Sequence, residues 1–93
     1  MAPYRLQVPG RLKDLVRGLH PELKRKVRAG LDLVRTNPTV GQALHDELAG
    51  LRSLRVGRFR IVYRVAPTRV IELIAIGPRR TIYEETLRLL RGE

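Results

Sequence analysis

Four of the twelve residues in LRVGRFRIVYRV, Leu54 to Val65, are arginine, and Arg79 and Arg80 follow close behind. Guanidinium groups are planar, permanently charged and forked, which suits bidentate contact with phosphate. A preorganised cluster of them stabilises the negative charge that gathers on a phosphoryl group during transfer. With Gly57 and Arg58 at the centre of a type II′ turn, Val56 faces Phe59, Arg55 faces Arg60 and Leu54 faces Ile61. Alternation then sends Leu54, Val56, Phe59, Ile61, Tyr63 and Val65 to one side of a sheet, and Arg55, Arg60 and Arg64 to the other. Like charges directly opposite cost roughly 0.2–1 kcal/mol. Two arginines that merely splay into water would bear that cost without return. With Arg58, Arg64, Arg79 and Arg80 expected nearby, an anion seated between Arg55 and Arg60 is the preferred reading.

The whole chain carries the same bias. Nineteen Lys and Arg against nine Asp and Glu leave a formal charge of +10. Such a balance favours a polyanionic partner: RNA, DNA, the ribosome or an acidic protein segment. General arginine richness would spread evenly, but here it clusters. Eight arginines and a single acid, Glu72, lie from Arg52 to Arg80. Glu72 reads as a neutralising partner for one of them.

Other chemistry is sparse. There is no cysteine, so there is neither a disulfide framework nor a thiolate site. No His, Asp and Glu residues stand at metal-ligand spacing, and neither a metal nor another cofactor is expected. His20 precedes Pro21 and reads as a cap or turn residue, while His45 reads as a surface histidine. Glu84 and Glu85 are the nearest acids to the last arginines. Either could serve as a base, but both suit the first turn of a helix, where acids complement the dipole. That structural role is the preferred reading.

The elements that would position these groups follow from periodicity. Tyr4, Leu6 and Val8 alternate as a short strand. Leu12, Leu15, Val16 and Leu19 form one helical stripe, ending near Gly18 and His20. A second stripe, Leu23, Val27, Leu31 and Val34, begins at Pro21 and stops before Asn37–Pro38. Residues 39–50 read as an irregular connection. Strands follow at about 51–56, 59–65 and 69–76, the last apolar on both faces and therefore interior. EETLRLLRG closes as a short helix. The order β-α-α-β-β-β-α predicts a single α+β domain over 1–93. A small antiparallel twisted sheet of about four strands carries the helix pair on one face. No transmembrane span fits, the N-terminal MAPYRLQVPGRLKD lacks the apolar core of a secretory signal, and a cytoplasmic protein is expected.

LRVGRFRIVYRV followed by VIELIAIGPRRTIYEE resembles the RelE/ParE superfamily of toxins from type II toxin–antitoxin systems, and the likeness covers nearly the whole chain. It implies a RelE-like, microbial-RNase-type fold. The superfamily has a branch of ribosome-dependent mRNA endonucleases, RelE-like, and a branch of DNA gyrase poisons, ParE-like. The telling positions resemble the first. Arg60 aligns with the arginine that stabilises the scissile phosphate, Arg79 with the arginine on the leaving-group side, and Tyr83 with the tyrosine that stacks on an mRNA base. Arg55 aligns with one of two hairpin lysines, while Ser53 stands where the pattern has the other and supplies no cation.

The resemblance implies a metal-independent endoribonuclease that works in the ribosomal A site. The RNA 2′-hydroxyl attacks the adjacent phosphate, giving a 2′,3′-cyclic phosphate and a 5′-hydroxyl. Arg60, Arg79 and Tyr83 form the implied catalytic set, with Arg55, Arg58, Arg64 and Arg80 holding RNA phosphates. The implied partners are the ribosome, mRNA and a cognate antitoxin, whose complex binds operator DNA through the antitoxin. Arginine cannot accept a proton at neutral pH, so no side chain in this set is a comfortable general base. A gyrase poison without RNA cleavage is the alternative, and an inactive partner of a DNA-binding repressor is a third reading.

Overall fold

The computed structural model describes residues 3–92; residues 1, 2 and 93, the outermost of the domain expected over 1–93, lie outside the described residues. Strand β1 (Arg5–Gln7) leads into α1 (Gly10–Arg17) and α2 (Pro21–Thr36). Two 3₁₀ turns, Pro38–Val40 and Asp46–Leu48, flank the two-residue strand β2 (Gln42–Ala43). Then come β3 (Arg52–Val56), β4 (Phe59–Ala66), β5 (Val70–Pro78) and α3 (Ile82–Arg91).

The helix pair forms where the apolar stripes predict it. The Nδ1 of His20 accepts from the amide of Glu22 at 3.3 Å, and Pro21 occupies the first turn, so α2 starts with one orphan donor satisfied. Leu12, Val27 and Val34 are buried against the sheet residues Val56, Ile61, Tyr63, Ile71, Leu73 and Ile76. Gly30 lets α2 come close: a β-carbon there would stand 2.9 Å from Val56 Cγ2 and 3.2 Å from Ile61 Cδ1.

The sheet has five strands rather than four, in the order β1-β5-β4-β3-β2, and it is mixed rather than antiparallel. The correction has two parts. β1 pairs with β5 in parallel, Leu6 opposite Ile71, because the helix pair and the hairpins return the chain in the same direction. β2 adds a short edge, Gln42 opposite Ser53, too brief to show as a period. β5 is interior as expected, flanked by β1 and β4. Arg69 lies over the Tyr4 ring at 4.3 Å, and its carbonyl accepts from the amide of Arg5, which ties β1 into place.

A bulge shifts the β4–β5 register, so that Val62 faces Ala75 while Tyr63 faces Leu73. Ile74 is left without an opposite number, and Arg11 Nη2 donates to its carbonyl at 2.7 Å. Tyr63 thereby reaches into the helix-side core. Its hydroxyl donates to Pro38 O at 2.6 Å and accepts from Gly41 N at 3.0 Å, pinning the connection between α2 and β2.

Helix α3 lies across the sheet from the helix pair. Ile82 joins Leu51, Val62 and Ala75 in a second, smaller core, with Leu89 packed against it. An exposed ion pair, Arg91 to Glu47 at 3.0 Å, ties its last turn to the second 3₁₀ turn. Among the described residues, no helix is long and apolar enough to cross a membrane.

Candidate active site

The β3–β4 hairpin has the register its turn predicts: Arg55 opposite Arg60, and Val56 opposite Phe59. Gly57 takes φ +60°, a conformation that favours glycine, and Arg58 does not take a positive φ, as a type II′ turn requires. On the α3 side of the sheet the hairpin presents Ser53, Arg55 and Arg60, the two arginines side by side.

Three of these groups meet at one oxygen. Arg60 Nη1 donates to Ser53 Oγ at 3.2 Å, and the Tyr83 hydroxyl donates to the same oxygen at 3.3 Å. Ser53 is 1% exposed. The Arg60 guanidinium also lies 5.9 Å from the centre of the Tyr83 ring, within cation–π reach. Tyr83 arrives there because α3 starts at Ile82, whose buried side chain seats the first turn on the sheet. Two of the three expected catalytic residues are thus held in contact by a serine that sequence reasoning set aside for lacking a charge. A single hydroxyl in a strand has no motif; only the cross-strand position of Val62, between Arg60 and Arg64, hinted that Ser53 would face the same way.

The third, Arg79, belongs to an adjoining pocket. Arg55, Arg58, Arg79 and Arg80 line an open depression with Gly57 and Pro78. The amide of Arg79 donates to Arg58 O at 2.8 Å, which fastens the end of β5 to the hairpin tip. No acid lines this pocket, so four cations face one space uncompensated. Because Arg55 is the direct neighbour of Arg60, pocket and cluster form one continuous cationic surface. Such an array takes anions, and its spread over several guanidinium groups suits more than one phosphate.

Arg64 does not join it. It pairs with Glu72 across the β4–β5 ladder, Nε to Oε1 at 2.9 Å, and so realises the neutralisation expected of that acid. Of the arginines expected to hold phosphate, Arg64 is thus the one whose charge is matched by a carboxylate, while its side chain stays 54% exposed. His20 is the helix cap described above, and His45 sits at the start of a 3₁₀ turn without a capping bond. Among the described residues no three His, Asp or Glu side chains gather where they could hold a metal ion.

A family model described as ParE toxin of type II toxin-antitoxin system, parDE, matches residues 8–83. No curated protein matches the sequence. Among solved structures, the chain is similar to the toxin–antitoxin complex RelBE2 from Mycobacterium tuberculosis, with 26% identity and a TM-score of 0.73 over 85% of this chain and 94% of that one. It is similar to a mutant of Escherichia coli toxin RelE in the free state, with 21% identity and a TM-score of 0.73 over 98% of each chain. The archaeal RelE–RelB complex from Pyrococcus horikoshii is similar at 20% identity, with a TM-score of 0.67 over 83% of this chain and 96% of that one. At 20–21% identity the last two likenesses speak for the fold.

Proposed function

From the premise that the chain belongs to the ParE toxin family of type II toxin–antitoxin systems, within the RelE/ParE superfamily, we propose that it is a ribosome-dependent mRNA endonuclease. The observation that carries the reading is the contact of Arg60 and Tyr83 through Ser53, beside a pocket of four unpaired arginines. A phosphate between Arg55 and Arg60 would have its developing charge stabilised by groups already in place. Tyr83 presents a ring for a base to stack on, an interaction worth roughly 1–3 kcal/mol. Arg79, at the pocket end, stands on the leaving-group side. The cluster lacks a strong acid–base pair, so substrate orientation by the ribosome supplies much of the rate. Residues 1–93 act as one toxin domain in the cytoplasm, without a metal or other cofactor.

The partner that restrains it is a cognate antitoxin, as in the RelE–RelB complexes that share this fold. An acidic antitoxin segment would match the arginine pocket, and the complex would reach operator DNA through the antitoxin.

One observation favours a second reading: the matching family model is that of ParE, whose branch of the superfamily poisons DNA gyrase without cutting RNA. The two readings separate in one assay. Cleavage is mapped on an mRNA held on programmed ribosomes, with wild type, Arg60→Ala and a ribosome-free control. The endonuclease reading expects an A-site cut that needs ribosomes and falls about 10²–10³-fold in Arg60→Ala, the loss typical of one charge-stabilising donor. If folded, antitoxin-free wild type makes no cut yet blocks gyrase supercoiling, the second reading replaces the first.

A further inference from the structure

Arginine cannot accept a proton, so the cationic cluster leaves the attacking 2′-hydroxyl without a base. One carboxylate shares its surface. Arg60 is the cross-strand partner of Gly77, so a side chain on residue 77 would project beside that of Arg60. Residue 77 has none, and the space is occupied from above: a β-carbon built there would stand 3.1 Å from Ile82 Cδ1 and 3.4 Å from Glu85 Oε2. The row across the sheet therefore reads Arg55, Arg60, then, in place of a third side chain, the Ile82 methyl with the Glu85 carboxylate beside it.

A carboxylate on the same side of the strand as Arg60 could pair with a guanidinium if their charged groups met. They do not: among the described residues, Glu85 has no cationic nitrogen within the 4.0 Å of an ion pair, and Arg60 donates to Ser53 instead. Ser53 and Tyr83 hold the guanidinium toward β3, while Glu85 approaches from the β5 side. Glu84, on the same first turn, is not directed at Gly77. The helix dipole explains an acid at either position; it does not explain why one of them overhangs the strand beside Arg60 unpaired.

We propose that Glu85 is the general base of the cleavage reaction, an inference that rests on the endonuclease reading above. With the scissile phosphate between Arg55 and Arg60, the 2′-hydroxyl lies on the Gly77 side. Glu85 Oε2 takes its proton as the O2′–P bond forms. The P–O5′ bond breaks, its electron pair leaves on O5′, and that oxygen takes a proton from solvent. Glycine at 77 is part of the device, because a β-carbon there would crowd Ile82 Cδ1 and displace the first turn of α3 that carries the carboxylate.

The test is single-turnover cleavage on programmed ribosomes by wild type, Glu85→Gln and Glu84→Gln, with ribosome affinity measured in parallel. Loss of a general base typically costs 10²–10⁴-fold. Glu85→Gln should therefore fall by at least about a hundredfold at unchanged ribosome affinity, with Glu84→Gln close to wild type. Glu85→Ala should regain part of its rate when formate is added as a small carboxylate base. If Glu85→Gln cuts as fast as Glu84→Gln, the two acids serve the helix dipole alike and the proposal is overturned while the endonuclease reading stands. If wild type itself does not cut, both are overturned.

Discussion

The two faces of the sheet are built to opposite specifications. On one, α1 and α2 close over Val56, Ile61, Tyr63, Ile71 and Leu73, and Gly30 brings helix and strand into close contact. On the other, α3 covers only Val62, Ala75 and their neighbours, and leaves Arg55 open beside a half-buried Arg60. Both faces belong to the same strands, residue by alternate residue. The difference teaches how a small domain hosts a cationic site: stability is concentrated on one side, so that the other tolerates like charges in register.

The sharpest break between the faces should come from neighbouring positions. Ile61→Ala, in the fully buried face, should cost about 2–5 kcal/mol in urea unfolding. Arg55→Gln, one strand over and on the opposite face, should stabilise by roughly 0.2–1 kcal/mol by removing a like charge facing Arg60. Equal losses at the two positions would refute the division of labour.

A smaller effect tests the tyrosine hydroxyl buried in the closed face. Burial pushes the Tyr63 phenol above its ordinary 10.0, and the hydrogen bond from Gly41 and the charge of Arg52 only partly oppose it. The folded state therefore keeps the proton longer than the unfolded one. The stability this confers is fully present below pH 10 and is lost as pH climbs through the higher folded value. Tyr63→Phe should be weaker by about 1–3 kcal/mol at neutral pH, because Gly41 N–H and Pro38 O lose their partner. The gap between the two proteins should narrow in alkali; a gap constant from pH 8 to pH 11 would contradict this account.

Smallest in stability is Ser53→Ala, whose freed partners Arg60 and Tyr83 both reach water. Unfolding should move by less than about 1 kcal/mol, while ribosome-dependent cleavage falls about tenfold, the equivalent of one hydrogen bond that aims the arginine. A rate equal to wild type would reduce Ser53 to a packing residue.

These contrasts also mark what could be read before the coordinates. The hairpin register was legible because turn chemistry and a period of two act locally, and both helices of the pair carried complete apolar stripes. Glu72 was legible as a neutraliser because it is the lone acid in a cationic segment. The parallel placement of β1 was not, since a strand of three residues does not encode its partner. Nor was the side on which α3 docks: an amphipathic helix specifies its own apolar side and is silent about which sheet face receives it. The bulge at Ile74 and the junction at Ser53 depend on contacts between distant segments, and neither leaves a pattern within its own strand.

The parallel pairing of β1 with β5 has a consequence in time. Residue 5 finds its ladder partner only when residue 70 exists, so a chain emerging from the ribosome carries β1 and the helix pair without the strand that closes their sheet. Pairings between distant segments form late and slow folding. Arg79 and Glu85 follow that strand in the chain, so the cluster around Arg60 cannot be complete until β5 and the start of α3 have been made. Assembly of the cluster is in this sense scheduled by topology: the hairpin waits for the segments that follow it.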